Sequence, residues 1–405
     1  MAGPFVTATF DVVVVGGGLA GSALGSALAE RGIRVLLLEG EHAFKDRVRG
    51  EFLAAWGAAE ARKLEIVDCL RATEDGHELP YIDFYNGPRF GFRRDIVSTT
   101  PHALPCLSFF HPAMQERCLG RAGSTGCVVR RGARATGITA GMSPSVTVDQ
   151  DGSVMEVKAR FVVVADGRVS ELRRQLGFVV RRDPEEMFTS GVLLDGSAVP
   201  DEACTLVLGP PSGAAYLFPQ GRGRVRAYFA YHRLAPYRLS GQRDFSRFVA
   251  ESQRVGAREE WFTGARPAGP LASFSGADSW VEHPYREGVA LLGDAAGSSD
   301  PIWGQGMSLA LRDARVLRDC LLGSEDWERA GNGYAEQRDQ YYGAMHTVTR
   351  WLTQLNFEPG DAGDGRRARA LPLIAREPDR MPDHLIGGPD LPVSEAVRRR
   401  YFGEE

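Results

Sequence analysis

Apolar residues fall into two rhythms along this chain. Short unbroken runs rich in β-branched residues predict strands buried on both faces. They occur at Phe10 to Val15 (FDVVVV), Ile33 to Glu39 (IRVLLLE), Arg160 to Ala165 (RFVVVA) and Val289 to Leu292 (VALL). Helical periodicity with alanine and leucine marks Ala20 to Arg31, Phe52 to about Arg71, Pro112 to about Gly123, and Gly306 to Leu322. Aromatic residues alternate with polar ones from Tyr81 to Arg94 around Asn86-Gly87, which is a hairpin signal. Met187 to Tyr231 is strand-rich, and Glu41 to Glu51 reads as a loop. The tail after Asp361, rich in proline and arginine, is expected to pack along the surface as short helices and extended pieces.

The order of these elements predicts an α/β fold. A discontinuous Rossmann-like cofactor domain (7–79, 97–180 and 272–330) interleaves with a mostly antiparallel β-sheet substrate domain (80–96 and 181–271). A C-terminal helical and extended segment (331–405) follows.

Composition narrows the classes. The 405 residues are 43% hydrophobic and 25% charged, ordinary for a globular chain long enough to enclose a ligand. A net charge of -4 gives no electrostatic case for nucleic acid. The six cysteines form no CxxC pair, which argues against a zinc site or a disulfide framework. No run approaches the roughly 20 apolar residues needed to span a bilayer, and no signal-peptide pattern opens the chain, so a cytoplasmic location without membrane partners is expected. The pattern leaves the oligomeric state open.

Chemistry first shows at Gly16, Gly18 and Gly21, a GxGxxG between the first strand and its helix. The first glycine permits a tight turn, the second lets backbone approach a pyrophosphate, and the third lets helix pack on strand. Leu19 and Ala20 lie within the loop at the start of the helix whose dipole faces the phosphates. Glu39 ends the second strand, where an acid accepts hydrogen bonds from a ribose 2′-hydroxyl. These residues alone fit NAD as well as FAD. Ala165-Asp166-Gly167 and Gly293-Asp294-Ala295-Ala296 each place an aspartate just past a buried strand, where doubly wound sheets bind ligands.

Together the three motifs resemble the FAD-dependent aromatic hydroxylases, the group that includes p-hydroxybenzoate hydroxylase, over roughly residues 8 to 355. The resemblance implies that Gly16, Gly18, Gly21 and Glu39 hold the ADP half of FAD. It implies that Arg49 lies along the cofactor, with Arg47 as its substitute, and that Gln115 contacts the ribityl and pyrophosphate region. Arg49 and Glu51 also read as a solvated surface pair. Asp166 corresponds to an aspartate associated with FAD and nicotinamide, and Asp294 to one holding the ribityl chain. Pro301, Gly304, Gln305, Gly306 and Met307 match a P-x-x-G-Q-G-M/L stretch whose backbone N–H groups face the flavin pyrimidine edge.

Such proteins are expected to take hydride transiently from NADH or NADPH and to react with O2 through a flavin C4a-hydroperoxide. They hydroxylate or epoxidise a small-to-medium organic molecule, expected here to be an aromatic or polycyclic natural product of secondary metabolism. Tyr216, Phe218, Tyr228, Tyr231 and Trp303 are the expected substrate walls, and His232 is a candidate for proton transfer. No general base is singled out. Gly297 stands where many members have histidine and, with Asp300-Pro301, keeps a double-bond reductase of the geranylgeranyl-reductase type in view. A halogenase would carry paired tryptophans and an active-site lysine. Neither shows, since no two tryptophans are close together and no lysine lies between Lys63 and Lys158. An idle flavin-binding subunit is the remaining alternative.

Overall fold

The run Phe10–Val15 becomes the centre of a parallel sheet. Its neighbours are Val35–Glu39 on one side and the end of the long strand Ser153–Val164 on the other. Val128–Arg131 and Val289–Leu291 extend the sheet outward, also in parallel. The computed structural model describes residues 10–48, 50–71 and 76–405. Val12, Val13 and Val14 are fully buried, as a central strand covered on both faces requires. Helix Leu19–Ala29 packs on one face with helices His111–Ser124 and Gly306–Leu322.

The second sheet is mostly antiparallel. Its strands run Arg266–Pro267, Met187–Asp195, Arg224–His232, Gly213–Gly221, Ala203–Gly209, Tyr81–Asn86 and Arg89–Asp95. Only Ala203–Gly209 and Tyr81–Asn86 pair in parallel. Ala272–Gly276 adds to Met187–Asp195. One face of this sheet carries a closed core with Phe229, Tyr231, Phe248 and Trp261, and the other face meets a cavity.

Two local expectations change. The helix expected from Phe52 to Arg71 is interrupted: Phe52–Leu53 is a strand pairing with Leu107 and Ser108, followed by helices Ala55–Lys63 and Val67–Arg71. Glu65, at φ 61, sits in the left-handed region and breaks the helical path between them.

The tail is also more helical than expected. Trp327–Phe357 is a single helix of 31 residues, opened by Asp326 accepting from the Arg329 N–H. Gly360–Arg376 forms a further 17-residue helix despite Pro372. Short helices His384–Gly387 and Glu395–Tyr401 follow. Their apolar residues are not spread along an outer surface: Leu371, Ile374, Met381, Leu385 and Tyr401 roof the cavity over the antiparallel sheet.

Candidate active site

The carboxyl ends of the central strands meet at one edge, and a cleft of about 1440 Å³ opens there. Single drug-sized pockets run roughly 300–1,000 Å³, so this cleft has room for more than one molecule. It runs from the glycine loop, across the end of helix Gly306–Leu322, to the antiparallel sheet.

At the parallel-sheet end, Gly16 takes φ +108, and a Cβ there would lie 2.3 Å from the Ala165 carbonyl oxygen. The loop therefore presses against the turn that carries Asp166. A Cβ on Gly21 would lie 2.0 Å from the Gly16 carbonyl oxygen, so Gly21 packs under the loop and does not line the cleft. Gly16, Gly18, Leu19 and Ala20 do line it. Helix Leu19–Ala29 begins at Gly18 with no side-chain cap and no acid in its first turn. Its free N–H groups and positive dipole end thus face the cleft.

Glu39 also lines the cleft. Its carboxylate accepts from Gly17 N–H and Glu41 N–H, both at 2.8 Å, and so fixes the loop it faces. Gln115 lines the opposite wall from helix His111–Ser124. Arg47 lines the cleft and pairs with Glu41 at 2.8 Å, while Arg49 lies outside the described residues.

Asp166 and Asp294 both line the cleft. Burial pushes the Asp166 carboxyl up, against a hydrogen bond from Ser170. Arg173, unremarked in the sequence, lies beside both aspartates and donates to Ala295 O at 2.9 Å and Arg168 O at 3.0 Å. Gly293 stands behind the cleft, its N–H donating to buried Asp313 at 3.0 Å.

A second uncapped helix start faces the same space. Gly306–Leu322 begins after Gln305 with no side-chain cap and no acid in its first turn. Pro301, Gly304, Gln305, Gly306 and Met307 line the cleft there. The Gln305 side chain is held by scaffold contacts. Its Oε1 accepts from Trp56 Nε1 at 2.9 Å, and its Nε2 donates to Trp303 O at 2.7 Å and Leu385 O at 3.3 Å. Trp303 lines the cleft with its Nε1 donating to Thr353 Oγ1 at 2.9 Å.

Glu51 is not half of a solvated pair. It is fully buried, takes two hydrogen bonds from Arg226 (2.7 and 3.0 Å), and accepts from His111 N–H at 2.9 Å. Burial pushes this carboxyl up and the Arg226 guanidinium pulls it down.

On the antiparallel sheet, Tyr216, Phe218 and Tyr228 line the cleft. Phe52 stacks on Phe218 at 4.6 Å between centroids, and Tyr216 lies parallel to Phe218 at 6.5 Å. The hydroxyls of Tyr216 and Thr189 are buried without hydrogen-bond partners. Tyr231 does not belong here. It is three residues from Tyr228 on one strand, so the pleat turns it to the opposite face. There its hydroxyl accepts from Leu239 N–H at 3.0 Å. His232, half-buried at the strand end, also lies off the cleft and accepts from Leu234 N–H at 3.1 Å. The sequence reading passed over Phe84 and Phe92, stacked at 4.6 Å in the hairpin, and all of the roof residues.

The model of the family described as FAD binding domain matches residues 9–333. The chain belongs to that family. Its cofactor is accordingly FAD. Among curated relatives, squalene epoxidase 2, mitochondrial, of Arabidopsis thaliana is 27% identical over 327 residues. That match covers 77% of this chain and 54% of the relative, so the chain spans about half of that longer protein. The 6-methylpretetramide 4-monooxygenase of Streptomyces rimosus is 26% identical over 400 residues, covering 91% of this chain and 89% of that one. Among solved structures, p-nitrophenol 4-monooxygenase PnpA from Pseudomonas putida DLL-E4 superposes with a TM-score of 0.78 at 18% identity. The superposition covers 93% of this chain and 96% of that one. At that identity the likeness speaks for the fold.

Proposed function

We propose that this member of the FAD-binding family is a monooxygenase that uses NADH or NADPH and O2 to hydroxylate or epoxidise a small-to-medium organic molecule. The observation that carries the reading is the convergence of two uncapped helix starts, at Gly18 and Gln305, on one cleft that continues into an apolar cavity. An uncapped helix start stabilises negative charge. The first suits a diphosphate, and the second suits the pyrimidine edge of a reduced flavin.

The cleft fits the cofactor. At Gly18 a Cβ would approach Gln115 Nε2 only to 3.7 Å, which leaves the loop open on its cleft side. The Gly16, Gly18, Leu19 and Ala20 segment would hold the diphosphate, Glu39 the adenosine ribose, and Gln115, Asp166 and Asp294 the central chain. Pro301 and Gly304 to Met307 would face the flavin ring. When bound, FAD supplies two-electron transfer from the nicotinamide and activation of oxygen.

The chain's own residues orient and enclose. Trp303 and Phe52 stand between the helix start and the sheet, so a ligand on Tyr216, Phe218 and Tyr228 would lie next to the flavin end of the cleft. Leu385, Met381 and Tyr401 exclude water from above. The division into a cofactor part (7–79, 97–180, 272–330), a substrate part (80–96, 181–271) and a C-terminal part (331–405) belongs to this proposal, as does a cytoplasmic enzyme without nucleic-acid or membrane partners. Among the described residues no helix is long and apolar enough to cross a membrane.

The test is stoichiometry on the FAD-loaded protein. With a turnover substrate, one O2 should disappear per NAD(P)H oxidised, and 18O from O2 should enter the product. NAD(P)H oxidation that proceeds anaerobically, with a saturated product, would replace this reading by the reductase.

A further inference from the structure

The apolar half of the cleft has a floor and a roof of different origin. Its floor is one face of the antiparallel sheet, where Leu206 lies opposite Phe84 and Tyr216, and Tyr216 opposite Tyr228. Its roof comes from the last fifty or so residues, through Leu371, Ile374, Met381, Leu385 and Tyr401. The charged groups that line the cleft are segregated. Glu39, Glu41, Lys45, Arg47, Asp166 and Asp294 belong to the glycine-loop half, and Arg168 lies toward Asp300. Glu51 is neutralised by Arg226. Arg89 sits exposed at the hairpin rim.

Between floor and roof, among the described residues, the charged groups are Arg94 from the floor and Asp383 from the roof. They face each other. Arg94 Nη1 and Nη2 donate to the two Asp383 oxygens at 2.5 and 2.8 Å, the fork-to-fork geometry of a bidentate pair. Arg94 Nε donates in addition to Thr99 Oγ1 at 3.0 Å, so the guanidinium is held on both sides. Its side chain is only 21% exposed.

We propose that this compartment selects an uncharged, largely apolar ligand of more than one ring or of equivalent length, and that Asp383 is the specificity-determining residue. Asp383 consumes the guanidinium fork that would otherwise hold a carboxylate or phenolate. The inference rests on the reading of this half of the cleft as the substrate site. Its size and apolar walls set the ligand's bulk. Its neutralised cation sets the ligand's charge, since a substrate anion reaching Arg94 would have to displace a bidentate partner already in place.

The experiment compares binding of 9-anthracenemethanol and 9-anthracenecarboxylate to the FAD-loaded protein at pH 8 by equilibrium dialysis. The neutral compound should bind at least tenfold tighter to the natural protein. In Asp383→Asn the freed Arg94 should cut that ratio at least tenfold, Asp383→Glu should restore it, and Arg94→Gln with Asp383→Asn should restore it too. The double variant removes the cation along with its partner, so its ratio reports charge selection even if the single variant folds poorly. FAD content and melting temperature are read on each variant. A natural protein that binds neither probe, or binds the carboxylate as tightly as the alcohol, overturns the proposal. So does an unchanged ratio in FAD-loaded Asp383→Asn. Anaerobic NAD(P)H turnover would defeat the oxygenase reading while leaving these ratios as they are, so the two ideas fail separately.

Discussion

Replacing Glu51 by Gln keeps the side chain's shape and removes its charge. In the structure Glu51 is fully buried and accepts from Arg226 twice, from His111 N–H and from Gln220. A glutamine amide turns one acceptor into a donor that points at a guanidinium or at the Gln220 amide. Arg226, itself fully buried, keeps one hydrogen bond to the remaining amide oxygen and the longer contacts to Asp46 at 3.2 and 3.3 Å. Breaking one side of a buried ion pair costs about 3–5 kcal/mol. Unfolding entropy scales at ~2.1 cal/mol/K per residue, so a chain this long loses about 1 °C of melting temperature per kcal/mol. The expected drop in Glu51→Gln is therefore on the order of 3–5 °C. Calorimetry at a fixed saturating FAD concentration is the assay, because bound cofactor itself raises the transition. A paired replacement, Glu51→Leu with Arg226→Met, removes both charges and should recover most of the loss, as apolar substitutes for buried pairs often do. A single variant within about 1 °C of the natural protein, or a paired variant no better than the single one, would refute this account of the pair.

Three further outcomes follow from local geometry. Gly16→Ala places a methyl 2.3 Å from a backbone carbonyl at a φ of +108; strain of about 1–3 kcal/mol plus the clash should cut FAD retained through gel filtration at least tenfold, and full retention would contradict the loop's role. Tyr231→Phe should destabilise by about 1–3 kcal/mol by orphaning Leu239 N–H. Tyr216→Phe removes a buried hydroxyl that has no partner and should leave the melt unchanged or raise it; the reverse pattern would invert their assignment. Burial raises Asp300 and Asp313 to about 6 and Asp278 to about 7. A carboxyl raised by folding lends stability below its unfolded value, near 3.8, and that stability is lost as pH climbs through the folded value. The melting temperature attributable to these groups should fall between about pH 4 and pH 7, and Asp300→Asn should flatten that slope by up to about 3 kcal/mol. An unchanged slope in a scan of melting temperature against pH would count against the burial argument.

What could be read from the chain was what is encoded locally. FDVVVV and RFVVVA are continuous because a strand covered on both faces has no polar side, and they form adjacent parallel strands. Asn86-Gly87 marks the hairpin turn between Tyr81–Asn86 and Arg89–Asp95. The glycine loop and the Pro301 to Met307 stretch are contiguous, so their places on the cleft follow from neighbours in sequence. Glu51 and Arg226 are 175 positions apart, and nothing near either announces the other. The roof was hidden for a different reason. Leu371, Ile374 and Leu385 look like ordinary helix-core residues, since a helix face turned to a cavity has the same periodicity as one turned to a packed core. Tyr231 was recoverable from parity alone, because an odd separation from Tyr228 on one strand puts the two rings on opposite sides.

The roof has a bearing on how this protein could diverge. The family match ends at 333, whereas the residues that roof the apolar compartment lie between 371 and 401. The roof therefore lies outside the stretch that carries both the FAD-binding match and the sheet floor, and is joined to it across the cleft by contacts such as Arg94 with Asp383 and Gln305 with Leu385. Exchange or gradual drift of the final helices would recast what the compartment admits while leaving the flavin apparatus unaltered. A graft of those helices between relatives, with residue 94 co-varied to match residue 383, is the natural unit for redesigning its chemistry.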